Sequence, residues 1–390
     1  MNPDALIVGG GLAGSSAAYH LSSLGSVILL EQSAFPAQGA SKQNAGMIRR
    51  MAAEPCDRAL AQRTFHFLNE EAPLWDNPPS SQVTGAILGL VRDPLWLHNA
   101  VGHLRAHGVT IEATETNQIP AALKDAPLVA AWTLPEERVA DAPSLVQAFL
   151  RKAKTQGASV HTGAHVQRLL IEEGQCVGVV TNDGPIYAGL VVLAGGAWCA
   201  HLAKKAGLHR PLIPLRRMVG VTALDPMATD THPWCWLDDV GCYVRPKNGA
   251  WLACPCDETP VVPPTDFESM GEPTEKEWAL LQGKLQRYFP SIARLGVTSG
   301  WTGLRTYTPD RKPLLGADPE LPGLWWAAGL GGSGLSGCWG VGEALATWIS
   351  GNETNWLDPA GLNPARKQLS RWPILPEGYP DHARLISGSY

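Results

Sequence analysis

Apolar positions along the chain change their period several times, and each change marks an element. Residues 5–8 are continuously apolar, as suits a strand buried on both faces. Three glycines follow, then a small-residue segment at 12–21, then a second apolar run over 27–30 that closes on Glu31. The order is strand, turn, helix, strand, acid. Residues 54–74 carry Leu60, Phe65, Phe67 and Leu68 at helical spacing. A strand is predicted at 86–91 and a helix at 94–107, whereas 117–135 reads as irregular and proline-containing. Residues 144–157 predict a helix with Leu145, Phe149 and Leu150 on one face, capped by Ser144 and stopped by Gly157. Short runs at 159–162, 165–172, 177–181 and 186–188, with the turn signal Asn182-Asp183-Gly184, read as a small β meander. The run 190–193 then enters Ala194-Gly195-Gly196 and a helix ending near Ala206. Further on come strands at 219–223, 242–245 and 251–254, and a helix at 275–288. A strand at 324–328 leads through the glycine-rich stretch 329–337 into a last helix ending at Ile349. The tail from Gly351 is polar and proline-rich and receives no chemistry; no internal repeat is present.

Bulk composition narrows the class. With 390 residues, 45% hydrophobic and 17% charged, the chain has the makeup of a globular protein of two domains. A net charge of -5 and no Lys/Arg-rich block give no support for a nucleic-acid partner. No leader precedes the first strand, and no stretch approaches the roughly 18 apolar residues of a membrane span. A cytoplasmic location is expected, with attachment to a membrane surface left open. Eight cysteines without a C-x-x-C pair read as free thiols, mostly buried, and no metal site is expected.

The first glycine cluster carries the clearest chemistry. Gly9-Gly10-Gly11-Leu12-Ala13-Gly14 stands between a strand and a helix, and Glu31 ends the next strand. Gly9 permits the tight turn, Gly11 lets backbone approach a pyrophosphate, and Gly14 lets helix and strand pack closely. The helix start offers N–H groups to phosphates, and Glu31 is placed for a ribose. The loop Gly39-Ala40-Ser41-Lys42-Gln43-Asn44-Ala45-Gly46-Met47 suits a path close to a cofactor, with Ser41 and Asn44 as donors. Residues 331–335 add further N–H donors ahead of the last helix. No second G-x-G-x-x-G is present to hold a separate pyridine nucleotide.

Taken with Ala194-Gly195-Gly196-Ala197-Trp198, Trp301-Thr302-Gly303-Leu304-Arg305 and the Gly-Leu-Gly-Gly-Ser-Gly stretch, these motifs make the chain resemble the D-amino-acid oxidase superfamily over residues 4 to about 350. Within it the chain looks most like flavin-dependent D-amino-acid dehydrogenases, D-arginine dehydrogenase in particular, through Pro214-Leu215-Arg216-Arg217 and Tyr243-Val244-Arg245-Pro246. The resemblance implies an α/β (α+β) fold: a glutathione-reductase-type, Rossmann-like FAD-binding domain and a second, antiparallel-sheet substrate domain. The expected division is 1–77, 141–210 and 301–351 for FAD, 78–140 and 211–300 for substrate, and 352–390 as a C-terminal tail.

Residue by residue, the resemblance implies that FAD is held by Gly9, Gly11, Leu12, Ala13 and Gly14, by Glu31 and Gln32, and by Ser41, Lys42, Gln43, Asn44, Ala45 and Gly46. Val166, Ala194, Gly195, Gly196, Trp198, Gly303, Arg305 and the stretch Gly331, Gly332, Ser333, Gly334, Leu335 complete the set. Arg305 is expected to bind the substrate carboxylate bidentately, Tyr243 to hydrogen-bond it, and Arg217 (or Arg216 beside it) to act as a second anion-facing arginine. Met47, Arg49, Tyr307 and Gly332 are expected to line the substrate pocket.

Departures from the family pattern bear on substrate. Met47 stands where the arginine dehydrogenase has a histidine, and 86–91 holds no acid to receive a substrate guanidinium, so apolar, aromatic, acidic and secondary-amine substrates stay open. Gly303 occupies the position of the flavin-bonding cysteine of sarcosine oxidases, so FAD is expected to be noncovalent. The expected reaction is oxidation of a D-amino acid or N-alkyl amino acid to its imine and then a 2-oxo acid, with oxygen or a quinone or dye as the open choice of acceptor. Two rivals share the motifs: an FAD-dependent 2-hydroxy-acid dehydrogenase, and a flavin-bound non-catalytic subunit. For the latter, Arg305 should be tied into an ion pair instead of facing a cavity.

Overall fold

The computed structural model describes residues 2–52, 54–92, 95–115, 119–120, 123–263 and 271–371. Two large sheets organise them. The first has six strands. From one edge its order is Leu314–Ala317, Leu324–Ala328, Leu190–Leu193, Ala5–Val8, Val27–Glu31 and Ser159–Thr162, all parallel except the first. Its central strands are fully apolar because both faces are covered. On one side lie the helices Leu12–Leu21, Ala142–Thr155 and Cys338–Ile349, sharing a core with Leu29, Phe149, Trp339 and Leu345. On the other lie a three-stranded antiparallel sheet (Val166–Glu172, Gln175–Thr181, Gly184–Tyr187) and the helix Cys199–Lys205, packed around Leu6, Val179 and Trp326.

The second sheet is mostly antiparallel and contains nine strands. Its backbone is the long pair Ile213–Thr222 and Val297–Tyr307, flanked by Ala250–Cys254, Cys242–Lys247, Trp234–Leu237, Ala86–Leu90 and Ala130–Leu134. Helix Glu275–Tyr288 covers one face through Leu281 and Leu285. It starts with a capping box, in which Thr274 and Glu277 satisfy each other's backbone N–H.

Several expectations are corrected. The run 159–162 is a parallel edge strand of the first sheet, not part of the meander. Residues 130–134 form a strand inside the stretch read as irregular; part of that stretch, 117–118 and 121–122, lies outside the described residues. Trp234–Leu237 is a strand the pattern did not reveal. The helix ending at Thr155 starts at Ala142, capped by Asp141, whose carboxylate accepts from the Ser144 amide at 2.7 Å. Ser144 instead accepts from the Ser80 amide at 2.8 Å. The boundary drawn at 301 falls inside the strand Val297–Tyr307, so Arg305 sits on the antiparallel sheet.

Candidate active site

A cleft of about 790 Å³ runs between the two sheets, within the range of small-molecule and cofactor sites. One end is built by the turn after the first strand, at the carboxyl ends of the parallel strands. Gly9 holds φ of 111°, and a Cβ there would come within 2.7 Å of the Ala194 carbonyl oxygen. The Leu12 amide donates to Ser41 Oγ at 3.0 Å. Ser15 is the first amide to bond back into the helix, to the Gly11 carbonyl, so the Ala13 and Gly14 amides keep no backbone acceptor among the described residues. Buried Glu31 accepts from the Gly10 amide at 2.7 Å and the Ser33 amide at 2.8 Å, which fixes its carboxylate at the cleft wall with lone pairs still open. Open amides at a helix start beside a fixed carboxylate are the donors and acceptor that a pyrophosphate and a ribose require.

At the opposite end the antiparallel sheet presents one face. Leu215 pairs with Arg305, Arg217 with Gly303, and Trp236 with Tyr243, so alternation brings Trp236, Tyr243, Arg217 and Arg305 to the cleft. Arg216 points the other way and binds Glu277 at 2.8 Å, which decides between the two neighbouring arginines. The Tyr243 and Trp236 rings stack with centroids 4.9 Å apart. Burial pushes the Tyr243 hydroxyl well above its usual range, even beside the Arg305 charge, so it stays a donor. Arg305 is buried, and its guanidinium reaches only the carbonyls of Gln43 at 3.4 Å and Leu304 at 3.3 Å. Among the described residues it has no carboxylate partner. Arg217 lines the cleft too, but its guanidinium pairs with Glu258 at 2.8 Å, and Arg311 binds the other side of the same carboxylate at 2.5 Å.

Between the ends lie Ala45, Gly46 and Met47, Ala194, Gly195, Gly196 and Trp198, Val166 and Gln32, and the turn Gly331, Gly332, Gly334 and Leu335. The Gly332, Gly334 and Leu335 amides have no backbone acceptor among the described residues, so this turn offers N–H donors to the cleft. The helix itself begins only at Cys338.

Six of the expected contacts stand away from the cleft wall. Gly14 packs behind Gly9, exposed Lys42 reaches Gln38 at 3.4 Å, and Gln43 packs against Gly303. Ser333 donates to Asp57 at 2.9 Å. Tyr307 lies beneath the Gly331 turn, under the Arg311 guanidinium. Asn44 lines the cleft, but its amide is occupied by its own loop, donating to the Ser41 carbonyl at 2.8 Å and accepting from Gly46 at 2.7 Å. Sequence reading missed Trp236, because its four-residue strand follows a proline and precedes two acids. Among the described residues no helix is long and apolar enough to cross a membrane.

Comparison with known proteins agrees with this geometry. A family model described as FAD dependent oxidoreductase matches residues 4–348. A mouse pyruvate dehydrogenase phosphatase regulatory subunit is 27% identical over 88% of this chain, which spans only 41% of that relative's length. Glycine oxidase of Bacillus licheniformis is 26% identical over 91% of this chain and 95% of its own. The crystal structure of L-proline dehydrogenase from P. horikoshii superposes with a TM-score of 0.82 at 23% identity, covering 93% of this chain and 97% of that one.

Proposed function

The chain belongs to the DAO family of FAD-dependent oxidoreductases, and from that premise we propose that it oxidises an amino acid, a D-amino acid or an N-alkyl amino acid, at the carbon bearing the amine. The carrying observation is a buried guanidinium on the cleft wall with no carboxylate of its own among the described residues. FAD, when bound, would supply the two-electron acceptor for the Cα–H bond; the nitrogen gives up a proton, and water converts the imine to the 2-oxo acid with release of ammonia or the alkylamine. Every other contribution is the protein's. Arg305 binds the substrate carboxylate in its planar fork and so fixes the orientation of Cα. Tyr243 donates a second hydrogen bond to the same carboxylate. The apolar wall of Met47 and Trp236 keeps water from the reacting carbon. Cofactor attachment is read as noncovalent, since Gly303 offers no nucleophile.

Tyr243→Phe should lower kcat/KM about 10- to 150-fold, mainly through KM, as fits one lost hydrogen bond to a charged group of about 1.5–3 kcal/mol. Steady-state kinetics on the purified holoenzyme checks it. The reading as a whole is tested by anaerobic titration: a D-amino or N-alkyl amino acid should bleach the flavin absorbance. Bleaching by 2-hydroxy acids alone would replace the amine with an alcohol. The mouse relative's name suggests a regulatory subunit instead; Arg305 facing a cavity without an ion pair among the described residues favours an enzyme.

A further inference from the structure

The cleft holds a second guanidinium that the reaction above does not use. Arg49 lines its substrate end, and a Cβ on Gly332 would stand 3.6 Å from the Arg49 side chain. Its own amide donates to Ser336 Oγ at 3.0 Å, which anchors the backbone. The guanidinium lies over the Trp236 ring at 4.2 Å, and one nitrogen reaches the Met51 carbonyl at 3.4 Å. Among the described residues it forms no ion pair. Its neighbour Arg50 differs: that side chain is held by Glu137 at 3.0 Å and Glu136 at 3.0 Å.

Three acids lie within electrostatic range of Arg49 without pairing with it: Asp57, Asp238 and Glu137. Glu137 is bound to Arg50 and Asp57 accepts from Ser333. Burial raises all three, Asp57 to about 6 and Glu137 to about 7, and among the described residues none of them hydrogen-bonds the Arg49 guanidinium. Among the described residues lining the cleft the sole carboxylate is Glu31, at the far ribose end. Stacking on Trp236 occupies one face of the Arg49 guanidinium and leaves its N–H edge for a planar anion. Trp236 in turn stacks on Tyr243, which feels the Arg305 charge. The stacked Trp236–Tyr243 pair thus links the two guanidiniums, Arg49 against one ring and the Arg305 charge bearing on the other.

We propose that the substrate is a dicarboxylate amine, one carboxylate on Arg305 and the second, carried either on the side chain or on the nitrogen substituent, on Arg49. This deepens the proposed function and rests on the same site. The reaction is unchanged; Arg49 acts as a specificity-determining residue.

Binding to the holoprotein, read as perturbation of the flavin absorbance, tests it without any turnover. Succinate should bind roughly tenfold or more tightly than butyrate. Arg49→Met should abolish that preference, leave butyrate within about twofold, and retain full flavin content; Arg49→Lys should restore part of it. Turnover then separates the two sources: preference for D-glutamate over D-glutamine places the second carboxylate on the side chain, and preference for iminodiacetate over sarcosine places it on nitrogen. Equal affinity for succinate and butyrate, or equal losses for both in Arg49→Met, overturns the proposal. Tight succinate binding with no amine able to reduce the flavin would overturn only the proposed reaction. Amine oxidation with no preference for a second carboxylate would overturn only this inference.

Discussion

Arg305→Met is expected to abolish most amine oxidation while the protein keeps its FAD. The arginine is buried on the long strand Val297–Tyr307 and reaches only two carbonyls among the described residues, both at or beyond 3.3 Å. Burying a guanidinium without a counter-charge is costly, and the proposed substrate carboxylate would supply the missing anion. Removing one partner of such a buried charged pair costs about 2–5 kcal/mol, or roughly 30- to 5,000-fold in kcat/KM. Methionine keeps the stem's apolar contacts, so packing between Leu215 and the Gln43 loop survives. With the anchor gone, productive orientation of Cα suffers along with affinity, so kcat falls together with kcat/KM. Two measurements check this: the ratio of flavin to protein absorbance, and the limiting rate of anaerobic flavin reduction. Loss of flavin together with rate would mean that Arg305 is structural and would remove the main support for an anion site.

Legibility in the sequence followed local physics. The first sheet was readable because buried parallel strands are continuous apolar runs, and Ala5–Val8, Leu190–Leu193 and Leu324–Ala328 are such runs. Helix Glu275–Tyr288 was equally plain, since its capping box is written into Thr274 and Glu277. The antiparallel sheet was harder. Pro214 sits inside the strand Ile213–Thr222, where proline usually argues against a strand, and Trp234–Leu237 is short. The strand–glycine turn–helix geometry was legible because it is set by backbone conformation over a few neighbouring residues. The sharing of Glu258 by Arg217 and Arg311 was not, since it brings together residues 41 and 53 positions apart. Sequence could nominate arginines; only folding could show which ones had been neutralised. Arg49 gained its interest in the same way, from Trp236, a residue no motif had singled out.

Gly14→Ala is expected to yield protein that cannot hold FAD. Two effects oppose each other. Alanine in place of glycine inside a helix gains about 1 kcal/mol of propensity. A Cβ at Gly14, however, would overlap the Gly9 carbonyl oxygen and come within 3.2 Å of Ala194 Cβ. The first obstacle is backbone, which cannot rotate away as a side chain can. Either helix Leu12–Leu21 lifts off the sheet, or the Gly9 turn opens, and either movement displaces the Ala13 amide from the cleft wall where phosphate is proposed to bind. Overpacking of a well-filled contact costs about 1–3 kcal/mol, enough to outweigh the helical gain, and the distortion falls on the segment that the cofactor needs. Gly283 provides the control. It lies in helix Glu275–Tyr288, and a Cβ added there would meet nothing within 4 Å, so Gly283→Ala should raise the melting temperature slightly and leave flavin content at the wild-type value. Flavin stoichiometry after gel filtration, with thermal melts of both variants, distinguishes the outcomes. If Gly14→Ala retained one FAD per chain with an unchanged visible spectrum, the close approach of helix and strand would not be what forms the cofactor site.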